Sequence, residues 1–163
     1  LDEGPVYDVS EVEISDSDNR ISLEKKLVAK AKLNIVDVIQ KISNGLQPVP
    51  QVDNNVSYCR KITKEDGRIN FEETAKEIFN KYRAFSGWPG TYFQYKDTTI
   101  KIHGMRIIDL DNNDTPGTIF DVTKDGIHIK VDDSVIVITH IQLPGKKIIN
   151  SSDIYNSYRD FFV

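Results

Sequence analysis

Cysteine is almost missing from this chain. Cys59 stands alone among 163 residues, which excludes an internal disulfide and fits a reducing compartment. No Cys or His accompanies it at metal-ligand spacing, so a buried or half-buried thiol is expected rather than a nucleophile. Long hydrophobic runs are missing too: nothing approaches the roughly 20 apolar residues of a membrane-spanning helix. A positive net charge is also missing, since 21 Lys and Arg stand against 25 Asp and Glu. Residues 1–59 carry 6 basic and 10 acidic groups, and residues 60–163 carry 15 of each. A uniformly basic nucleic-acid-binding domain is thereby excluded, and any RNA contact must come from charges clustered on one face. The opening residues LDEGPVYD are acidic and turn-like, unlike a signal peptide. Leu1 in place of Met gives the expectation that the chain is a piece of a longer protein.

What is present fits a soluble globular protein, with 39% hydrophobic and 28% charged residues. Leu1 to Tyr7 reads as a loop leading into a strand, with Val6, Val9, Val12 and Ile14 in an extended acidic stretch. Ser15 to Asn19 then offers helix-capping residues. Residues 20–44 give the clearest helical pattern, because Leu23, Leu27, Ala31, Ile35, Val38 and Ile42 recur at steps of three or four. Gly45 ends it, and Pro48 and Pro50 prevent a restart. So long a one-sided helix needs a partner that the residues before it cannot supply, which predicts a larger preceding domain.

Gln47 to Asn55 reads as a linker. A second helix is expected over 71–85, capped by Asn70 with Glu73 three residues on, and burying Ala75, Ile78, Phe79, Tyr82 and Phe85. Beyond Pro89-Gly90 the period changes to two. Five strands are expected: Tyr92–Tyr95, Thr99–Leu110, Gly117–Val122, Gly126–Val131 and Val135–Leu143. Five antiparallel strands with a long second one suit a small closed barrel of OB type. A last helix, about 152–162, is expected to start at a Ser cap and to bury Ile154, Tyr158 and Phe161 or Phe162. The fold class is therefore α+β, mainly β. The domains are expected at 1–46, a linker at 47–69, and 70–163.

Clustered positive charge does exist. Arg60, Lys61, Lys64 and Arg68 lie within nine residues, offset by Glu65 and Asp66. Lys81 and Arg83 follow on the second helix, and Lys146 and Lys147 sit together after a Pro-Gly turn. On residue type alone these are solvated surface charges. Trp88, Tyr92, Phe93 and Tyr95 could suggest base stacking, but at a helix end entering a strand they read as core. His103, His128 and His140 all fall on expected strands and read as strand residues, not catalytic ones.

The stretch Ser57 to Gly90, SYCRKITKEDGRINFEETAKEIFNKYRAFSGWPG, resembles the segment joining the two domains of methionyl-tRNA formyltransferases. Five further stretches resemble that family in the right order. They are Leu1-Asp2-Glu3-Gly4-Pro5, residues 20–44, Pro116-Gly117-Thr118-Ile119, Leu143-Pro144-Gly145-Lys146-Lys147 and Ser152-Asp153-Ile154-Tyr155-Asn156-Ser157. The resemblance covers nearly the whole chain. It implies that residues 1–46 are the end of an α/β formyltransferase domain, followed by a linker and an OB-like tRNA-binding domain.

The implied reaction moves a formyl group from 10-formyltetrahydrofolate to the amino group of methionine on initiator tRNA. A carboxylate-held His would move protons while a donor pair stabilises the oxyanion. By position Asp2 corresponds to the family's catalytic Asp, although residue type alone makes it turn chemistry. The Asn–x–His pair of that chemistry has no counterpart here, and neither does the family's Ser-Leu-Leu-Pro segment. The resemblance thus implies a cytoplasmic, bacterial, monomeric protein whose parent enzyme uses the folate donor. This chain by itself would be inactive, would bind no folate and would supply mainly tRNA docking. Arg60, Lys61, Lys64, Arg68, Arg83, Lys146 and Lys147 would contact the tRNA. A sugar-nucleotide formyltransferase fragment and a folate-dehydrogenase hydrolase domain share the turn or the Trp-Pro-Gly segment, but neither needs the basic linker. A stand-alone OB-type RNA-binding module is the alternative of a different class.

Overall fold

The computed structural model of the chain describes residues 3–52, 56–110 and 112–163. The chain divides into two compact units, Leu1–Lys61 and Ile62–Val163.

The first unit is organised by one helix, α1 (Arg20–Ser43), 24 residues long. Its start is set by local chemistry. Asn19 Oδ1 accepts from the backbone amides of Ile21 at 2.9 Å and Ser22 at 3.0 Å, while Ser22 Oγ accepts from the Asn19 amide at 3.0 Å. That reciprocal pair satisfies donors that the first helical turn would leave orphaned. Asp18 backs the cap. Its carboxylate accepts from Ser15 N and Ser22 Oγ, each at 2.8 Å, and pairs with Lys26. At the far end Gly45 takes φ +94°, as expected for the glycine that stops a helix.

Before α1 the expected strand does not form. Val6 makes one antiparallel bridge to Val49, with both N–H···O contacts at 2.8 Å, and Val9 and Ile14 are exposed. Without a neighbouring strand these residues have no ladder to join. α1 has no buried residue; Leu27, Ile35 and Ile39 are all half or more exposed. Cys59 is exposed, which corrects the expectation of a buried thiol. Its neighbours from Val56 to Ile62 are also exposed, so no core reaches it.

The second unit is an antiparallel sheet of six strands with two helices. The strands are β1 (Thr91–Tyr95), β2 (Thr98–Ile108), β3 (Ile119–Thr123), β4 (Gly126–Lys130), β5 (Val135–Gln142) and β6 (Ile148–Asn150). They pair in the order β1-β2-β5-β4-β3, with β6 added to β5. This corrects two expectations. The sheet is open, since no pairing joins β1 to β3 among the described residues, and a sixth strand exists where only a loop and helix start were expected. Three residues are too few to show a period of two, so β6 had no sequence signal. The outer edge of β1 is partly covered by a parallel bridge between Arg68 and Tyr92.

β5 is the centre of this unit. Val135 to Ile138 are fully buried, alternate side chains pointing to opposite faces, so both faces of the sheet are covered there. Ile100, Ile102, Ile127, Ile129 and Ile141 complete the core with Phe93.

Helix α2 (Ala75–Ala84) adds Ile78 to that core, and α3 (Ser151–Phe162) adds Ile154 and Phe162. α2 starts four residues later than expected, because Thr74 and Glu77 form the capping box. Glu77 N–H reaches Thr74 Oγ1 at 3.3 Å, and Thr74 N–H reaches Glu77 Oε2 at 3.0 Å. Asp133 Oδ1 accepts from the Ala75 amide at 2.8 Å, placing a carboxylate at the positive end of the helix. Asn70 only closes a turn onto Glu72 N. α3 is capped by Asn150 instead of a Ser, through the Asp153 amide at 3.0 Å. At its other end the Tyr95 hydroxyl and the Lys96 ammonium donate to the carbonyls of Phe162 and Phe161, both at 2.7 Å. These are carbonyls that the last helical turn leaves unpaired.

Candidate nucleic-acid interface

The alternation of β2 separates core from solvent. Ile100 and Ile102 point inward, so Thr99, Lys101 and His103 share the other face. Register extends that face sideways: Lys101 pairs with Tyr92 on β1 and with Gln142 on β5, and Gln142 pairs with Ile148 on β6. Paired residues point the same way, so Tyr92, Lys101, Gln142 and Ile148 make one row across four strands.

The row ends beside the two lysines of the β5–β6 turn. Gly145 takes φ +69° in that turn, and Lys146 N–H closes it onto the Leu143 carbonyl at 3.0 Å. Gln142 Nε2 donates to the Lys146 carbonyl at 2.9 Å. Its Oε1 then faces His103 Nε2 at 3.1 Å. With the amide nitrogen engaged, Oε1 is the acceptor and His103 donates from Nε2. His103 is the extra residue where the β2–β5 register shifts between Ile102 and Gly104, and the bulge turns its ring toward Gln142. Lys146 and Lys147 are both exposed, and among the described residues neither they nor Lys101 has an ion-pair partner.

A cleft of about 700 Å³ borders the β1–β2 end of the row. Its walls include Lys64, Tyr82, Trp88, Tyr92, Lys101 and His103. Lys64 is placed by a short 3-10 turn, Glu65–Gly67, whose entry is held by Asp66 Oδ2 accepting from Thr63 N at 2.7 Å. Gly67 is required there, since a Cβ on it would lie 2.2 Å from the Gly90 carbonyl oxygen. The Tyr82 hydroxyl donates to the His103 carbonyl at 3.1 Å, and burial pushes its pKa up. Trp88 is 51% exposed, which corrects its reading as core. Phe93 is 2% exposed and is core, while Tyr92 and Tyr95 are half-buried.

The structure thus groups some of the sequence-predicted residues and separates others. Lys64 joins the cleft, and Lys146 and Lys147 join the row. Arg68 is exposed at a different recess of about 480 Å³ that also contains Lys81, whose ammonium is paired with Glu73 at 2.9 Å. Arg83 is half-buried, donating to Asn80 Oδ1 at 2.7 Å, with its guanidinium over the Phe79 ring at 5.7 Å. Arg60 and Lys61 are exposed at the end of the first unit, where Arg60 Nη1 donates to the Lys61 carbonyl at 3.3 Å. Asp2 lies outside the described residues. Lys101 and Gln142 were not singled out from the sequence, and His103 reads there as a strand residue only. The alternation around Lys101 carried the signal, but its neighbours across the sheet did not show.

The histidines are engaged locally. Besides His103, His128 contacts Thr123 Oγ1 at 3.2 Å and His140 contacts Thr139 Oγ1 at 3.0 Å. Burial lowers the His128 pKa, and Arg106 adds to the effect against Asp121 and Asp125.

Residues 61–159 match the model of the family "Formyl transferase, C-terminal domain". The chain belongs to this family. It is 36% identical over 161 residues to a methionyl-tRNA formyltransferase of Sulfurihydrogenibium sp. (strain YO3AOP1), covering 98% of this chain and 52% of that relative. It is 37% identical over 158 residues to the methionyl-tRNA formyltransferase of Francisella philomiragia, covering 96% of this chain and 49% of the relative. The chain therefore spans about half the length of the curated relatives it matches, corresponding to their C-terminal part. In fold it is similar to HypX from Aquifex aeolicus. One variant gives a TM-score of 0.69 at 16% identity, over 99% of this chain and 29% of HypX. HypX in complex with tetrahydrofolic acid gives 0.63 at 17%, over 94% and 27%. At that identity the likeness is one of fold.

Proposed function

We propose that this chain is the tRNA-docking part of a methionyl-tRNA formyltransferase acting in translation initiation, its open sheet serving as an OB-like platform. The observation that carries this reading is the row Tyr92–Lys101–Gln142 ending at Lys146 and Lys147, whose three lysines are exposed, in a chain whose relatives bear that name. Lysines without carboxylate partners on one sheet face suit phosphate contacts, which position a nucleic acid without reading its sequence. Arg60, Lys61, Arg68 and Arg83 are secondary candidates on this reading.

The formyl donor would be 10-formyltetrahydrofolate, but the described residues do not fit a site for it. Each of the three histidines sits on the sheet beside Gln142, Thr123 or Thr139, with no Asn–x–His pair in the sequence. Asp2 remains the chain's one candidate for the catalytic site. The chemistry would then belong to the remaining half of the parent enzyme, and the exposed apolar residues of α1, among them Leu27 and Ile35, would pack against that half.

The test is a pair of measurements on the 163-residue chain. Labelled initiator tRNA should bind with an affinity that falls with salt, and no formyl transfer to charged tRNA should be detected. Absence of tRNA binding at low salt would overturn the docking role, and turnover would overturn the division of labour.

A further inference from the structure

Trp88 is the one exposed aromatic lining the cleft, where Tyr82, Phe85 and Tyr92 are half-buried. No aromatic stacking or cation–π contact involves it among the described residues, and half of its surface is open. Glycine flanks the Trp88-Pro89 pair on both sides, with Gly87 at φ +88° and Gly90 at φ +77°. Below it the cleft of about 700 Å³ is walled by Tyr82 and Tyr92, with Lys64 and Lys101 at its sides. The single acid lining it is Glu65. A flat apolar platform beside two cations, with volume for one ring system, matches the face and backbone of a single nucleotide. The other strand elements place Gln142 and the Lys146–Lys147 turn farther along the same face.

We propose that this cleft holds one unpaired base of an RNA, stacked on Trp88, with Lys64 and Lys101 on the flanking phosphates. The site is distinct from the basic β5–β6 turn, which can follow a duplex backbone. A paired base has both faces stacked within the helix, so only a single-stranded or extruded nucleotide can use Trp88. Tyr82 supports the pocket as a positioning residue, since its hydroxyl is spent on the His103 carbonyl. This inference rests on the docking reading above and adds to it which part of the RNA is gripped.

The chain contains one tryptophan, so its fluorescence reports this cleft alone. Wild-type chain is titrated with a single-stranded adenosine octanucleotide and with a blunt, loop-free RNA duplex, following both Trp88 emission and anisotropy of the labelled RNA. The single strand should quench Trp88 and the duplex should not. Trp88→Leu should weaken single-strand binding about tenfold and leave duplex binding unchanged, while Trp88→Phe should restore most of the affinity. A single strand that binds by anisotropy without quenching Trp88, or equal quenching by the duplex, overturns the base site and leaves the docking role standing. Loss of stability in Trp88→Leu with RNA affinity unchanged assigns Trp88 to a protein contact and likewise overturns it. No binding of either RNA, or of tRNA, overturns both readings. Should Trp88→Leu fail to fold, the quenching of wild type and the Trp88→Phe affinity still decide.

Discussion

Gln142 holds His103 with one end of its amide, at 3.1 Å, and the carbonyl of Lys146 with the other, at 2.9 Å. One side chain therefore couples the bulge in β2 to the turn that carries the two lysines. Gln142→Ala should free that turn at the cost of roughly one net hydrogen bond, about 1 kcal/mol. The expected result is tRNA affinity reduced about fivefold with an unchanged salt slope, because every cation remains. A reduced slope would mean that Gln142 acts through charge placement.

The lysines themselves should behave in the opposite way. Lys146→Ala with Lys147→Ala should lower affinity and also flatten the plot of log K against log salt by about 1.5, at roughly 0.7 to 0.9 per phosphate contact. Both are exposed, so stability should change by no more than about 0.5 kcal/mol. An unchanged slope in a salt titration would remove the turn from the interface.

Gly67 and Gly90 lie so close that no side chain fits between them. A Cβ at 67 would sit 2.2 Å from the Gly90 carbonyl oxygen, and that atom is backbone and cannot swing aside. Gly67→Ala should destabilise the second unit by about 1–3 kcal/mol in denaturant unfolding, as overpacking does. It should also weaken RNA binding, since it displaces the turn that carries Lys64. Wild-type stability in this variant would contradict the packing.

Two capping sites can be told apart by mutation. Thr74→Ala should cost about 1 kcal/mol, typical of a lost N-cap, whereas Asn70→Ala should cost only a few tenths, typical of an exposed turn residue. The reverse order in urea melts would return the start of α2 to Asn70.

The two units should respond differently to acid. Asp18 is held well below the usual carboxylate range by the Lys26 ammonium, the Ser15 amide and the Ser22 hydroxyl. Its contribution is complete above about pH 4 and is lost as pH falls through its lower folded-state value. Asp18→Asn should therefore destabilise α1 at neutral pH, with the difference closing in strong acid. His128 has a dependence of the same sign, set at a higher pH. Its folded pKa lies below its ordinary value because burial disfavours the cation, so the unfolded chain takes up the proton first. Stability of the second unit should fall as pH drops below about 6.5 and level off once the folded state is also protonated. His128→Gln should remove that dependence, which thermal melts between pH 8 and 5 would check.

Local rules in the sequence determined the two main helical stripes, five of the strands and the end of α1. Ile100-Lys101-Ile102-His103 alternates, and Leu23 to Ile42 repeats at helical steps; neither pattern needs distant partners to be read. The same is true of the family, because its motifs are contiguous. Only tertiary structure decided the rest. Asn70 and Thr74 are both competent caps followed by Glu at the third position, and Thr74 sits where Asp133, 58 residues from Ala75 in sequence, can add its carboxylate. Trp88 and Phe93 are both apolar aromatics, yet one lies at the mouth of a cleft and the other beneath the sheet. Gln142 and Lys146 meet locally across one turn, whereas Lys101 is far from both in the chain and joins Gln142 only through strand register. The physical reason is that hydrogen-bond periodicity is local, whereas burial, edge closure and the gathering of charge depend on which strand lies next to which.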